Sequence, residues 1–270
     1  MKNSIIISAL TFSICALAAC GGDHMAKSGQ GDTVKSTYPP TVDSSKFDKD
    51  TGRNILAAPI THHFGDGPMK LYYAPGACSL SPHIALRELG QSFDLVKVDT
   101  KTHTFDGGGD FYGVNGKGYV PVLELDDGTR LTEGPAIVQY LADRKPDSGL
   151  APKAGTLERV RLQEWLNFLT SEVHKGFSPL FSAETPEDYK PVARKRLANR
   201  FDWLSKQLDG RKFLLGDRFT VADGYLFTLL GWTNFVGMKL EDWPVLKAYR
   251  DGIASRPAVK EALKAEGLAK

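Results

Sequence analysis

The chain has 270 residues, 34 of them basic and 32 acidic, for a net charge of +2. With 41% hydrophobic and 24% charged residues it has a globular composition, which excludes a collagen-like, wholly disordered or polytopic membrane chain. The near-neutral balance gives no long-range field that would draw nucleic acid, and three cysteines are too few for a disulfide scaffold.

Met1-Lys2-Asn3 is a short basic start, and Ile5 to Ala19 is apolar apart from Ser8, Thr11 and Ser13. A membrane span needs about 20 apolar residues, whereas this length suits the core of a signal peptide. The run ends Leu17-Ala18-Ala19-Cys20-Gly21-Gly22, which resembles a bacterial lipobox. That likeness implies a signal peptide over 1–19 and acylation of Cys20. With glycine rather than aspartate following, it implies a periplasmic protein held at the outer membrane, since acyl chains anchor without a spanning helix. Residues 20–68 read as a disordered tether, rich in Gly, Ser, Thr, Pro, Lys and Asp, with too little apolar surface to offset chain entropy. His62-His63 has no further ligands beside it, so no metal site is expected there.

Regular patterning begins at Met69. Lys70–Tyr73 reads as a strand, followed by the turn Ala74-Pro75-Gly76-Ala77-Cys78. Ser81-Pro82 opens a helix that closes at Gly90. Phe93–Val98 alternates as a half-buried strand. Val120–Leu125 is a further strand, joined by the turn Asp126-Asp127-Gly128-Thr129 to Arg130-Leu131-Thr132. Pro135–Leu141 is a helix. After Pro146 the strand signals stop. Thr156–Val173 is helical, with Leu162, Leu166, Leu169 and Val173 as its core stripe, and Lys190–Leu208 is helical and basic. Thr220-Val221-Ala222-Asp223 resembles a capping box opening an apolar helix, and Trp243–Ser255 and Pro257–Glu266 complete the set. The pattern is an α/β domain over 69–145 followed by an all-helical domain over 152–270.

Cys78 lies in a strand-to-helix turn, where free N–H groups and the positive helix end favour a thiolate. Cys78-Ser79-Leu80-Ser81 is a C-x-x-C pattern with serine for the second thiol, able to form a mixed disulfide but not to resolve it. A lone cysteine is equally a small buried hydrophobe, and both readings stand. Asn167, Ser171 and His174 fall at i, i+4 and i+7, on a face opposite the leucine stripe. By pattern alone that is a solvated helix face. Trp165, Trp203, Phe227, Trp232 and Trp243 are expected in the core, and Arg194, Lys195, Arg196 and Arg200 on a solvated face.

Five separated segments resemble the bacterial beta-class glutathione S-transferases in order and spacing. They are Met69–Ser79, Gly118-Tyr119-Val120-Pro121, Leu131-Thr132-Glu133-Gly134, Glu172–Phe177 and Phe219–Asp223. The resemblance covers 69–270 and implies a thioredoxin-like N-terminal domain, an all-helical C-terminal domain, a homodimer, and glutathione as co-substrate. It implies that Cys78 and His174 stand at the sulfur. Val120, beside a cis proline, would pair with the peptide backbone of glutathione in the manner of an added strand. Glu133 and Gly134 would hold the γ-glutamyl group at a helix start. Asn167, Ser171, Glu172 and Val173 match further glutathione-contacting positions. His103 stands where relatives commonly carry a lysine for the glycyl carboxylate, and Gly134 where many carry serine. Tyr72 and Tyr73 resemble early aromatics of structural role. Some of Phe177, Phe181, Trp232 and Phe235 would line a pocket for an apolar electrophile.

Three readings follow. The first is conjugation of glutathione to apolar electrophiles, as in detoxification. The second is glutathione-dependent thiol–disulfide exchange or peroxide reduction through Cys78, which suits an oxidising periplasm. The third is a non-catalytic, surface-anchored binding module. Met69 matches the family's usual first residue, so translation from Met69 would give a cytoplasmic protein instead.

Overall fold

The computed structural model describes residues 68–269. The leader, the lipobox-like Cys20 and the tether expected over 20–68, apart from its last residue, lie outside the described residues. Strand β1 (Met69–Tyr73) pairs in parallel with β2 (Phe93–Asp99), Met69 facing Phe93, and helix α1 (Leu80–Glu88) makes the crossover between them. On its other edge β1 pairs antiparallel with β5 (Val122–Glu124), which pairs antiparallel with β6 (Arg130–Thr132). The long connection after β2 holds a hairpin that the sequence pattern does not announce, β3 (Thr104–Phe105) and β4 (Gly109–Asp110), each only two residues long. The sheet order is β4-β3-β2-β1-β5-β6, and α2 (Gly134–Arg144) follows it.

Alternation along β1 decides which side each residue covers. Met69, Leu71 and Tyr73 join Leu123 and the inner faces of α1 and α2 in the main core. Tyr72 points the other way, into a smaller cluster with Val98, Phe111, Val120 and Val122. Its hydroxyl reaches toward Glu124 at 3.5 Å. Both tyrosines are buried and structural, as expected.

The second half is helical: α3 (Leu157–Phe168), α4 (Lys175–Phe181), α5 (Lys190–Leu208), α6 (Val221–Gly231), α7 (Pro244–Ala254) and α8 (Pro257–Ala265). Helix α6 is buried from Val221 to Leu230 and packs on α1, so one helix serves both halves of the core. Its start carries the expected capping arrangement. Asp223 accepts from the Thr220 N–H at 2.8 Å and also from Tyr249 Oη and the Leu214 N–H. That carboxyl is fully buried with four donors on it, as a buried charge requires.

The helix expected over 156–173 is not uniform. Thr156 caps α3 by accepting from the Arg159 N–H at 3.2 Å, but Leu169–His174 is a π-helical segment that leads directly into α4. A π turn carries more than 3.6 residues, so the side-chain phase slips within it. The consequence falls on the site.

Candidate active site

Cys78 and His174 come together at the junction of two clefts. One, of about 370 Å³, is walled by Val120, Glu133, Gly134, Lys117, His103 and Tyr225 among others. The second, of about 790 Å³, is lined mainly by apolar and aromatic groups, including Phe181, Trp232 and Phe235. Cys78, Thr100 and His174 line both.

Cys78 sits in the turn before α1. Its thiol donates to the Val120 carbonyl at 3.3 Å. Of the two readings of this cysteine, the neutral, desolvated one fits its surroundings better. Burial pushes the thiol up to about 11, and this outweighs the lowering by nearby backbone N–H groups; the Glu133 charge adds to the rise. The resting group is a neutral S–H donor.

His174 closes the π segment, and its Nδ1 lies 2.7 Å from Tyr225 Oη. Burial, with the positive charge of Lys175 beside it, pushes the imidazole down to about 4. Burial also raises the Tyr225 phenol. At neutral pH both groups are therefore uncharged, and the Trp232 ring stands edge-on to the imidazole at 4.8 Å.

The other walls follow from local backbone. The Val120–Pro121 peptide is cis, and the Val120 carbonyl is engaged by Cys78. Glu133 holds φ +66°, an uncommon value for a residue with a side chain and one that marks a constrained site. Its carboxylate is exposed and pairs with Lys117 Nζ at 2.6 Å. Gly134 opens α2 at the positive helix end. A Cβ there would meet only Pro121 Cγ, at 3.9 Å, so the serine common in relatives has room. His103 is in the cleft wall at φ +54°, its ring tilted by 35° against Tyr112 with centroids 4.5 Å apart. Its Nδ1 is buried and makes no hydrogen bond among the described residues. Gly118, at φ +69°, is held to glycine, because a Cβ would lie 2.8 Å from Tyr112 and 3.0 Å from His103.

The remaining predicted contacts are not in this chain's own cleft. Asn167 is exposed, and Ser171 is exposed with its hydroxyl donating to the Asn167 carbonyl at 3.0 Å. Glu172 pairs with Arg200 at 2.6 Å, and both it and Ser171 line a separate depression between α4 and α5. Val173 is fully buried in the core. The shared face drawn through Asn167, Ser171 and His174 assumed a uniform helix. The π segment breaks that phase, leaving Asn167 and Ser171 outside while Thr170 and His174 turn inward. Phe177 is likewise core, wholly buried behind Phe181 and Trp232. Trp203, expected in the core, is 41% exposed, in a cluster with Trp165 and Phe168.

Sequence reasoning missed Lys117, Thr170, Lys175 and Tyr225 as cleft residues. Lys175 could have been found, since it lies inside a recognised segment. Tyr225 is one residue after the glycine that follows the capping box, and no local pattern marks it. Among the described residues, no group of three or more His, Cys, Asp or Glu is placed to hold a metal.

Comparison with known proteins gives consistent matches. Residues 76–144 match the family "Glutathione S-transferase, N-terminal domain", and 168–257 match "Glutathione S-transferase, C-terminal domain". The chain is 48% identical over 200 residues to glutathione S-transferase GstA of Escherichia coli O157:H7, covering 74% of this chain and 100% of the relative. A sphingomonad glutathione S-transferase solved with glutathione is 52% identical with a TM-score of 0.72, over 74% of this chain and 100% of that one. The beta-class enzyme of Sphingomonas chungbukensis matches with the same identity, TM-score and coverage.

Proposed function

The chain belongs to the glutathione S-transferase family, and from that premise we propose that it joins glutathione, through its sulfur, to an apolar electrophile. The observation that carries this is the junction of the two clefts at Cys78 and His174. The polar cleft takes the tripeptide, with its γ-glutamyl carboxylate at the start of α2 and its ammonium on Glu133, which exchanges Lys117 for it. Its backbone lies along Val120, and its glycyl end reaches the wall that carries His103 and Lys117. The apolar cleft takes the electrophile. The two reactants then meet where both clefts share their walls, which is the positioning that makes the reaction effectively unimolecular.

The protonation states assign the roles. An imidazole at about 4 cannot hold the proton of a thiol near 9, because five pH units separate them, about 7 kcal/mol. His174 therefore serves as a donor. We assign the Tyr225 hydroxyl, 2.7 Å from Nδ1, as the donor of that contact, which puts the imidazole proton on Nε2 for the glutathione sulfur. The Cys78 S–H turns from the Val120 carbonyl to the same sulfur. The thiol proton leaves to water. With an aryl halide, the S–C bond forms as the C–halogen bond breaks and the halide departs with its electron pair. Cys78 as neutral donor favours conjugation over a disulfide mechanism that needs its thiolate.

The homodimer implied by the resemblance also accounts for Asn167, Ser171 and Glu172, whose exposed face on α3 and the π segment would serve a second copy's cleft. The leader sequence supports export and a lipid anchor on Cys20. A labelled fatty acid should be incorporated into the protein and lost in Cys20→Ser. The functional test is a glutathione-dependent panel of aryl halides, disulfides and hydroperoxides, run on wild type and Cys78→Ala. Conjugation by wild type that is weakened in Cys78→Ala, with no disulfide turnover by either, supports the reading. Disulfide turnover by wild type without conjugation overturns it.

A further inference from the structure

Among the described residues, the apolar cleft is lined by one arginine, which forms no ion pair. Arg250, on α7, lies among its walls, with its guanidinium over the Phe227 ring at 5.0 Å. Its Nε is buried without a hydrogen-bond partner, and Arg250 forms no ion pair among the described residues. The nearest acid in sequence, Asp251, attracts the guanidinium without touching it and is itself paired with Lys247 at 2.6 Å. No aspartate or glutamate is among the described residues lining the cleft, and His174 there is neutral. Gly231 lies beside the guanidinium, where a Cβ would make ordinary contact with Arg250 Nη2 at 3.5 Å. A half-buried arginine stays charged even where burial lowers its affinity for the proton. An unmatched charge in an apolar wall is costly unless a partner arrives.

We propose that Arg250 selects an electrophile carrying an anionic group, a carboxylate or sulfonate on an aromatic or aliphatic body. The apolar body packs on Phe181, Trp232 and Phe235, and the anion pairs with the guanidinium. This rests on the transferase reading and adds the substrate class to it.

The test compares 4-chloro-3,5-dinitrobenzoate with its methyl ester, which share the reacting ring and differ in charge, on wild type, Arg250→Gln and Arg250→Lys. Charge-assisted hydrogen bonds of this kind correspond to roughly tenfold or more in affinity. The acid-to-ester ratio of kcat/KM should fall about tenfold in Arg250→Gln and recover in part in Arg250→Lys. A ratio unchanged in Arg250→Gln overturns the proposal even if both rates drop, because that drop would be structural. If wild type turns over the ester, the transferase reading stands whatever the ratio does. If it turns over neither compound, that reading fails separately. Calorimetric binding of unreactive 3,5-dinitrobenzoate against its methyl ester then decides the role of Arg250. Tighter binding of the acid in wild type but not in Arg250→Gln supports it, and equal binding overturns it.

Discussion

His83 Nδ1 lies 2.8 Å from Glu266 Oε1, and neither side chain has any exposed surface. His83 is on α1 in the sheet domain, and Glu266 is the cap that ends α8 at the far end of the chain. The second oxygen of Glu266 accepts from the Gly76 N–H at 2.8 Å, and the Gly76 carbonyl accepts from Trp232 Nε1 at 2.8 Å. The turn that presents Cys78 is thus held from the helical domain by one carboxylate and one indole.

Removing that carboxylate leaves the buried His83 Nδ1 and the part-buried Gly76 N–H without their partner, His83 keeping only the contact of its Nε2 with Arg87 Nε at 3.4 Å. Breaking a buried pair in this way costs about 3–5 kcal/mol. Glu266→Ala should lower the urea midpoint accordingly and raise KM for glutathione as the Gly76–Cys78 turn loosens. A change in stability with glutathione KM unaltered would separate the pair from the site.

The Cys78 thiol at about 11 makes its reactivity strongly dependent on pH. Only the thiolate alkylates, so the iodoacetamide rate at Cys78 should climb about tenfold per pH unit through neutrality and level off only near pH 11. A plateau near pH 7 would mean that the α1 N-terminus controls this sulfur. The linkage has the corresponding sign. A folded value above the unfolded one gives stability that is present below pH 9 and lost as pH rises toward 11.

His174 at about 4 should show no proton resonance shift between pH 5 and 8, with its midpoint near pH 4. Its folded value lies below the unfolded 6.5, so its contribution to stability is complete above pH 6.5 and is lost as pH falls through 4. Tyr225 acts through it. Tyr225→Phe removes the donor to Nδ1, and kcat should fall about tenfold, the size of one neutral hydrogen bond, while KM for glutathione changes little. Equal effects on kcat and KM would mean general disorder of the cleft.

Gly224 follows the capping residue Asp223 inside a buried helix. A Cβ there would meet Ile84 at 3.5 Å and Phe219 at 3.7 Å, ordinary contact distances. Gly224→Ala should therefore stabilise by about 0.5–1 kcal/mol, raising Tm by about 1–4 °C. A lower Tm would show that α1 and α6 need the closer approach that glycine allows.

What was legible in the sequence was local. The Cys78 turn, the β5–β6 hairpin, Glu133-Gly134 at a helix start and the Thr220–Asp223 cap each depend on residues close in the chain. His174 was legible only through resemblance, because its inward turn depends on the π segment, which hydrophobic spacing does not announce. Asn167 and Ser171 lie on the solvated face that their spacing predicts, and His174 parts from them for the same reason. The state of Cys78 was illegible too. The helix-end effect that favours a thiolate is local, whereas the desolvation that overrides it comes from the packing of distant elements. Lys117 sits between two glycines in a loop that carries no periodicity at all.

On the proposed mechanism, this cleft holds the glutathione sulfur as a thiolate through donors on His174 and Cys78. Ultraviolet difference titration of enzyme-bound glutathione measures that directly. The account predicts thiolate absorbance at pH 7 in wild type, with the bound thiol at least one unit below its free value of roughly 8.5–9, and loss of that absorbance in His174→Ala. A bound thiol titrating like free glutathione, or one unaffected by His174→Ala, would contradict it.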